Sequence, residues 1–299
     1  MLVLLVFPIP EAAFWPYFAG LAVLALGLAT VFRKGLSRLR GVDKVLPFGP
    51  LFFAAPMAVF GTEHFTAAKD IGSAIPRWIP DHLFWVYFVG VALLAAASSI
   101  AAQRYSGLAA TLLGIMIFCF VLLIHIPRLA SNPSDRIMIA VVLRDLAFSA
   151  SALALATTQA SEAWHPAVQK VSTGARYVVG VALLFFAVQH FLHPGFVPVV
   201  PLGLAMPAWI PFHQLLAYVV GAALLATGLA LVANVRARSA AIWLGILVFA
   251  VVLLVYLPIL AAHPSDIGVA MNYFADTLTV SGALLVLGGS ILNTSREQR

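Results

Sequence analysis

Charge is what this 299-residue chain has least of: Asp, Glu, Lys and Arg together make up 9% of it, against about a quarter of an ordinary soluble domain. A soluble fold needs that polar coat, so the scarcity argues against one. Acids are rarer than bases, 11 against 17, for a formal net charge of +6. Cysteine is nearly missing. The single Cys119 lies in the apolar run from Gly114 to Ile126, so it can form no internal disulfide and offers no CxxC redox pair. A Walker loop, a dinucleotide fingerprint, a nucleophile elbow and a metalloprotease helix are also missing. Soluble-type enzyme chemistry has no support here.

What fills the chain instead is apolar: 63% of residues are hydrophobic and the mean hydropathy is +1.03. A hydrocarbon core about 30 Å thick takes roughly 20 helical residues to cross, and runs of that kind recur between Pro, Gly and charge. Membrane strands would alternate apolar and polar residues, so the spans are helices. The expected fold is an all-α polytopic membrane protein with about nine transmembrane helices, its partner the lipid bilayer. The basic residues sit at the ends of apolar runs, which argues against nucleic acid. Met1 to Phe7 is apolar but short and has no basic leader, so no cleaved signal peptide is expected.

Two stretches repeat. Glu63-His64-Phe65, then Pro76 through Trp78-Ile79-Pro80 to His82, Tyr87 and Gly90, return as Gln189-His190-Phe191, Pro207 through Trp209-Ile210-Pro211 to His213, Tyr218 and Gly221. Pro127 to Asp135 returns as Pro258 to Asp266 with six of nine residues identical at an offset of 131. The organisation expected is an added helix with a basic loop (1–45), a four-helix unit (46–160), a linker (161–175) and a second four-helix unit (176–299). Ile9 to Gly20 matches Ile79 to Gly90 at seven of twelve positions, so the added helix reads as a remnant of a third copy.

Arg33, Lys34, Arg38, Arg40 and Lys44 follow the first run, which predicts an external N-terminus and a cytoplasmic C-terminus in a cell (inner) membrane. On that path twelve basic residues fall inside and four, Lys69, Arg77, Arg128 and Arg136, outside. With four spans each, the units enter from the same side and form parallel repeats.

Gly61-Thr62-Glu63-His64-Phe65, the segment from Pro76 to Pro80, Tyr87 with Gly90, and Arg104 before another apolar run resemble the DoxX-like family of small four-helix bacterial membrane proteins. The resemblance covers about 110 residues of each half. It implies a membrane subunit of a thiosulfate–quinone or other quinone-linked oxidoreductase complex, with quinone as a candidate ligand and redox subunits as candidate partners. Family members often carry an acid shortly after the Tyr-x-x-Gly of the second helix. Here those positions are Leu93 and Leu224, so no role of that acid carries over.

His64, His82, His125, His190, His193, His213 and His263 all fall at or beyond the predicted outer ends of spans. Imidazoles there could bind a quinone oxygen, and His64 with His125 could face each other as a metal or haem pair. Against that pair, His125 becomes Tyr256 in the second unit. Histidine and tryptophan also favour the membrane interface for their own sake. If both outer loops fold over their bundles, His64 with His82 and His190 with His213 would line two equivalent pockets roofed by Trp78 and Trp209. Asp145 and Asp276 each lie ten residues past the Asp of a Pro-Ser-Asp turn, about 15 Å down a helix. Tyr87 and Tyr218 are candidate hydrogen-bond partners for them, since Arg144 is beside Asp145 only in sequence and Asp276 has no evident cation. The aspartates read either as interhelical ties or as the base of a ligand pocket or proton path, and a small-molecule transporter remains open beside a quinone-linked subunit and a structural accessory subunit.

Overall fold

A computed structural model describes residues 10–37, 39–158 and 165–291. Arg38, Arg296, Arg299 and part of the linker 161–175 lie outside the described residues. Among the described residues nine helices are long and apolar enough to cross a membrane, and the chain is an all-α, multi-pass membrane protein.

The added helix α1 (Glu11–Lys34) is followed by a 3₁₀ segment, Gly41–Phe48, that runs into α2 (Gly49–Thr66) with Pro50 in its first turn, where a missing N–H costs nothing. A short α3 (Ala68–Ser73) precedes α4 (His82–Ala101), α5 (Ser106–Phe120), α6 (Ile126–Ser131) and α7 (Arg136–Thr157). The second unit comprises α8 (His165–Leu192), α9 (His213–Ala233), α10 (Ala237–Val251), α11 (Leu257–Ala262) and α12 (Asn272–Ser290). α8 begins well before the apolar run expected from Tyr177, because a helix needs only favourable backbone propensity to extend past the hydrocarbon.

The repeat reaches into backbone irregularities. Asp81, Gln103 and Tyr105 have positive φ, and so do Phe212, Asn234 and Arg236, each 131 residues on. Wide i→i+5 turns, Val121–His125 and Val252–Tyr256, precede Pro127 and Pro258, whose rings cannot complete an ordinary helical ladder.

Packing follows a two-fold pattern. α2 pairs with α4 and α8 with α9; α5 pairs with α7 and α10 with α12. The remaining side of each unit comes from the other, since α2 packs on α12 and α8 on α7, with α7 and α12 crossing at the centre. Glycine permits the tightest of these contacts. A Cβ on Gly282 of α12 would stand 2.4 Å from the backbone nitrogen of Phe53 in α2. α1 packs on α2 through Gly20, as α4 does through Gly90, and Tyr17 ties it to the second unit by donating to the Pro264 carbonyl at 3.0 Å.

One register differs. A third wide turn, Ile267–Met271, stands where α7 already has regular helix, and it takes up one extra residue. Ser149 of α7 donates to the Gly114 carbonyl at 2.7 Å, and its counterpart in α12 is Ser281, which donates to the Gly245 carbonyl at 2.8 Å. The glycines are 131 residues apart and the serines 132. Along α12 the structural counterpart of Arg144 is therefore Asp276, and that of Asp145 is Thr277.

Candidate functional site

That slip puts the two buried aspartates in one cluster. Arg144 donates through Nε to Asp145 at 2.8 Å and through Nη1 to Asp276 at 2.5 Å, so the cation Asp276 lacked in sequence comes from across the α7–α12 crossing. Asp145 also meets Nε2 of His125 at 2.9 Å. A second polar pair lies nearby. The amide of Asn272, oriented with its NH2 toward the acid, donates to both carboxylate oxygens of Glu63, at 2.8 and 3.1 Å. In the second unit Gln189 stands in place of Glu63, and its buried Oε1 has no hydrogen-bond partner among the described residues.

The expected pairing of Tyr87 and Tyr218 with the aspartates is overturned. Both tyrosines are more than 40% exposed on the lipid-facing sides of α4 and α9, where they stack on Phe65 and Phe191 at 5.6 and 6.3 Å. They share a helix face with Phe84, Val91, Leu215 and Val219, all exposed, so α4 and α9 turn their aromatic side outward and small residues inward. At Gly90 and Gly221 a Cβ would stand 2.9 Å from the Cβ of His64 and of His190. These glycines bring each histidine against its neighbouring helix.

The first unit holds a groove of about 1030 Å³ between α4 and α5, open on one side and lined almost wholly by apolar atoms. It runs from Trp78, Ile79 and Pro80 at one end, past Val89, Ala92, Met116 and Cys119, to Ser99 and Tyr105 at the other. His64 and His125 form part of its wall, which brings together two of the residues singled out in the sequence. Nδ1 of His64 donates to the Phe60 carbonyl at 2.7 Å. A carbonyl only accepts, so Nδ1 carries a proton, and in the neutral ring Nε2 carries a lone pair. His82 instead donates from Nε2 to the Pro76 carbonyl at 3.2 Å, tying the connecting loop to the start of α4. Trp78 is 66% exposed at the groove's end and Trp209 is 54% exposed at the matching place. His213 opens α9 as His82 opens α4.

The expected second pocket is filled. Val197, Val199 and Val200 of the second connecting loop are buried beside His190 and Tyr256: the Val199 N–H donates to Nε2 of His190 at 2.8 Å, and the Tyr256 hydroxyl donates to the Pro198 carbonyl. Sequence reasoning missed Tyr256 and Val199 in these roles, although an apolar Val197-Pro198-Val199-Val200 in a loop between spans was a visible sign that the loop is buried.

As a metal centre the histidines fit poorly. His125 is engaged by Asp145, and among the described residues no three His, Cys, Asp or Glu side chains are grouped to hold an ion. Comparisons with family models, with curated proteins and with solved structures returned no match.

Proposed function

We propose that the chain is a membrane subunit that binds a lipid-soluble small molecule in the groove of its first unit. Following the DoxX-like resemblance, the ligand is a quinone or quinol and the setting a quinone-linked oxidoreductase complex of the inner membrane. The observation that carries the reading is a long apolar groove with two imidazoles in its wall. Apolar walls with a few placed polar groups are what an amphiphile's tail and head require. The groove opens toward the lipid-facing sides of α4 and α5, so such a molecule can enter from the bilayer. His125 joins the groove wall to the Asp145–Arg144–Asp276 cluster, which holds that imidazole in one orientation. In this reading the chain binds and orients, and electron transfer falls to partner subunits.

A transport role for Asp145 and Asp276 has less support, since both carboxylates are committed to Arg144. The test is native mass spectrometry of the protein released from its own membrane in mild detergent. A quinone-mass adduct that disappears in Ala92→Trp, which fills the groove, is the expected result. The same bound masses in both proteins would overturn the proposal.

A further inference from the structure

The groove of the first unit has a counterpart in the second, and there the chain itself is the occupant. His64 and His190 correspond at an offset of 126 residues, His82 and His213 at 131, so the second connecting loop is longer by five. The extra chain folds inward as a hairpin closed by Val197 N–H to the Leu204 carbonyl at 2.9 Å and Met206 N–H to the Gly195 carbonyl at 2.8 Å. Tyr273 and Arg136 pin it from outside, accepting from Leu204 N–H at 3.0 Å and donating to the Pro201 carbonyl at 3.2 Å. Val199 sits at φ +86°, a conformation β-branched residues avoid, so these bonds hold an unfavourable backbone in place.

The hydrogen bonds of this hairpin show what chemistry the site accepts. His190 donates from Nδ1 to the Phe186 carbonyl at 2.6 Å, as His64 does to Phe60, and uses its Nε2 lone pair on a backbone N–H. The neutral ring of His64 has the same tautomer, but its Nε2 has no protein partner among the described residues. It calls for a donor. An ether, ester or ketone oxygen cannot supply one and a hydroxyl can, so of the quinone–quinol pair named above it is the quinol head that suits this nitrogen. Tyr256, which anchors the hairpin's Pro198, is replaced by His125 at the edge of the groove.

We infer that the occupant of the first unit's groove is a long-chain amphiphile whose hydroxyl-type head donates a hydrogen bond to Nε2 of His64, and that residues 196–205 close the second unit's copy of the site in cis, leaving one site per chain. The inference rests on the groove being a binding site, and the test separates the two. The full-length protein in detergent is titrated with hexadecanol and with hexadecyl methyl ether, which has the same tail without the donor, and adducts are counted by native mass spectrometry. One hexadecanol per chain is expected, bound at least tenfold more tightly than the ether, with His64→Phe reducing the alcohol to the ether's level. Replacing residues 192–206 by the first unit's 66–75 is expected to raise the count to two. Equal binding of both probes, lost in Ala92→Trp, would overturn the donor requirement and leave the groove standing. Alcohol binding unchanged by His64→Phe would overturn the contact, and two alcohols on the unaltered chain would overturn the closure. Failure of both probes to bind would sink the groove reading itself.

Discussion

Replacing Arg144 with Gln should be among the most damaging single changes in the chain. One cation faces two carboxylates, at 2.8 and 2.5 Å, and the side chains of all three residues are less than 20% exposed. With both acids ionised the three formal charges sum to −1, so losing the arginine leaves two carboxylates at the helix crossing, Asp276 without its cation and Asp145 with only His125. Removing one partner of a buried ion pair costs about 3–5 kcal/mol. Asp276→Asn should behave differently, because Arg144 and Asp145 remain as a neutral pair and the Asn oxygen can still accept. The expected loss is about 1 kcal/mol, the difference between a charge-assisted and a neutral hydrogen bond. With a coupling of about 2–3 kcal/mol set against the about 1 kcal/mol that Asp276→Asn costs by itself, the double variant Arg144→Gln with Asp276→Asn should be more stable than Arg144→Gln alone by about 1–2 kcal/mol. Reversible unfolding in mixed micelles titrated with dodecyl sulfate measures all four proteins. If Arg144→Gln costs less than Asp276→Asn, or if the double variant is the least stable, the charge accounting is wrong.

The remaining predictions concern packing, the hairpin and orientation. Tyr256→Phe leaves the buried Pro198 carbonyl without its donor, so it should cost about 1–3 kcal/mol. Hydrogen exchange should quicken across residues 196–205; unchanged protection there would show that the tyrosine does not hold the loop. Gly282→Ala drives a methyl to 2.4 Å from the Phe53 nitrogen and 2.7 Å from the Phe52 carbonyl carbon, and overpacking of that kind costs about 1–3 kcal/mol. Gly174→Ala meets nothing within 4 Å and should be neutral or stabilising by up to about 1 kcal/mol; thermal melts of the two variants in detergent should separate clearly. In a Cys119→Ala background, a cysteine at exposed Lys69 should react with an impermeant maleimide added to intact cells, and one at exposed Lys44 should not. The reverse pattern would invert the orientation.

Nine apolar spans and the recurring residues of the two units were legible in the sequence. Long apolar runs bounded by charge are a local property, and a membrane leaves a run of about 20 such residues no stable alternative to a helix. The repeat was readable because Trp, Pro, His and Tyr recur in step. The candidate site was only partly readable. His64 and His125 do share a wall, yet the two tyrosines point to lipid, and which face of a helix turns inward is decided by its neighbours. A helix apolar all round, as α4 and α9 are, carries no stripe to say so.

The cluster was hidden by one residue. Aligned by sequence, Asp145 matches Asp276 and Arg144 matches Ala275, which suggested two separate acids. The wide turn at Ile267–Met271 rotates everything after it, so Arg144 and Asp276 meet at the crossing of α7 and α12. A turn of that kind is a choice of hydrogen-bond pattern, and no residue type announces it. The fate of the two connecting loops was likewise settled in three dimensions. Five extra residues let the second loop reach His190 and satisfy it with its own backbone, whereas the first loop lies over α4 and leaves its histidine facing a groove. Sequence by itself determined the apolar helices that cross the membrane, because each depends on transfer of a single segment into lipid, and the repeat, because its distinctive residues recur at a fixed spacing. Tertiary structure decided which charges pair and which of two similar sites stays open, because those depend on the register between helices distant in the chain.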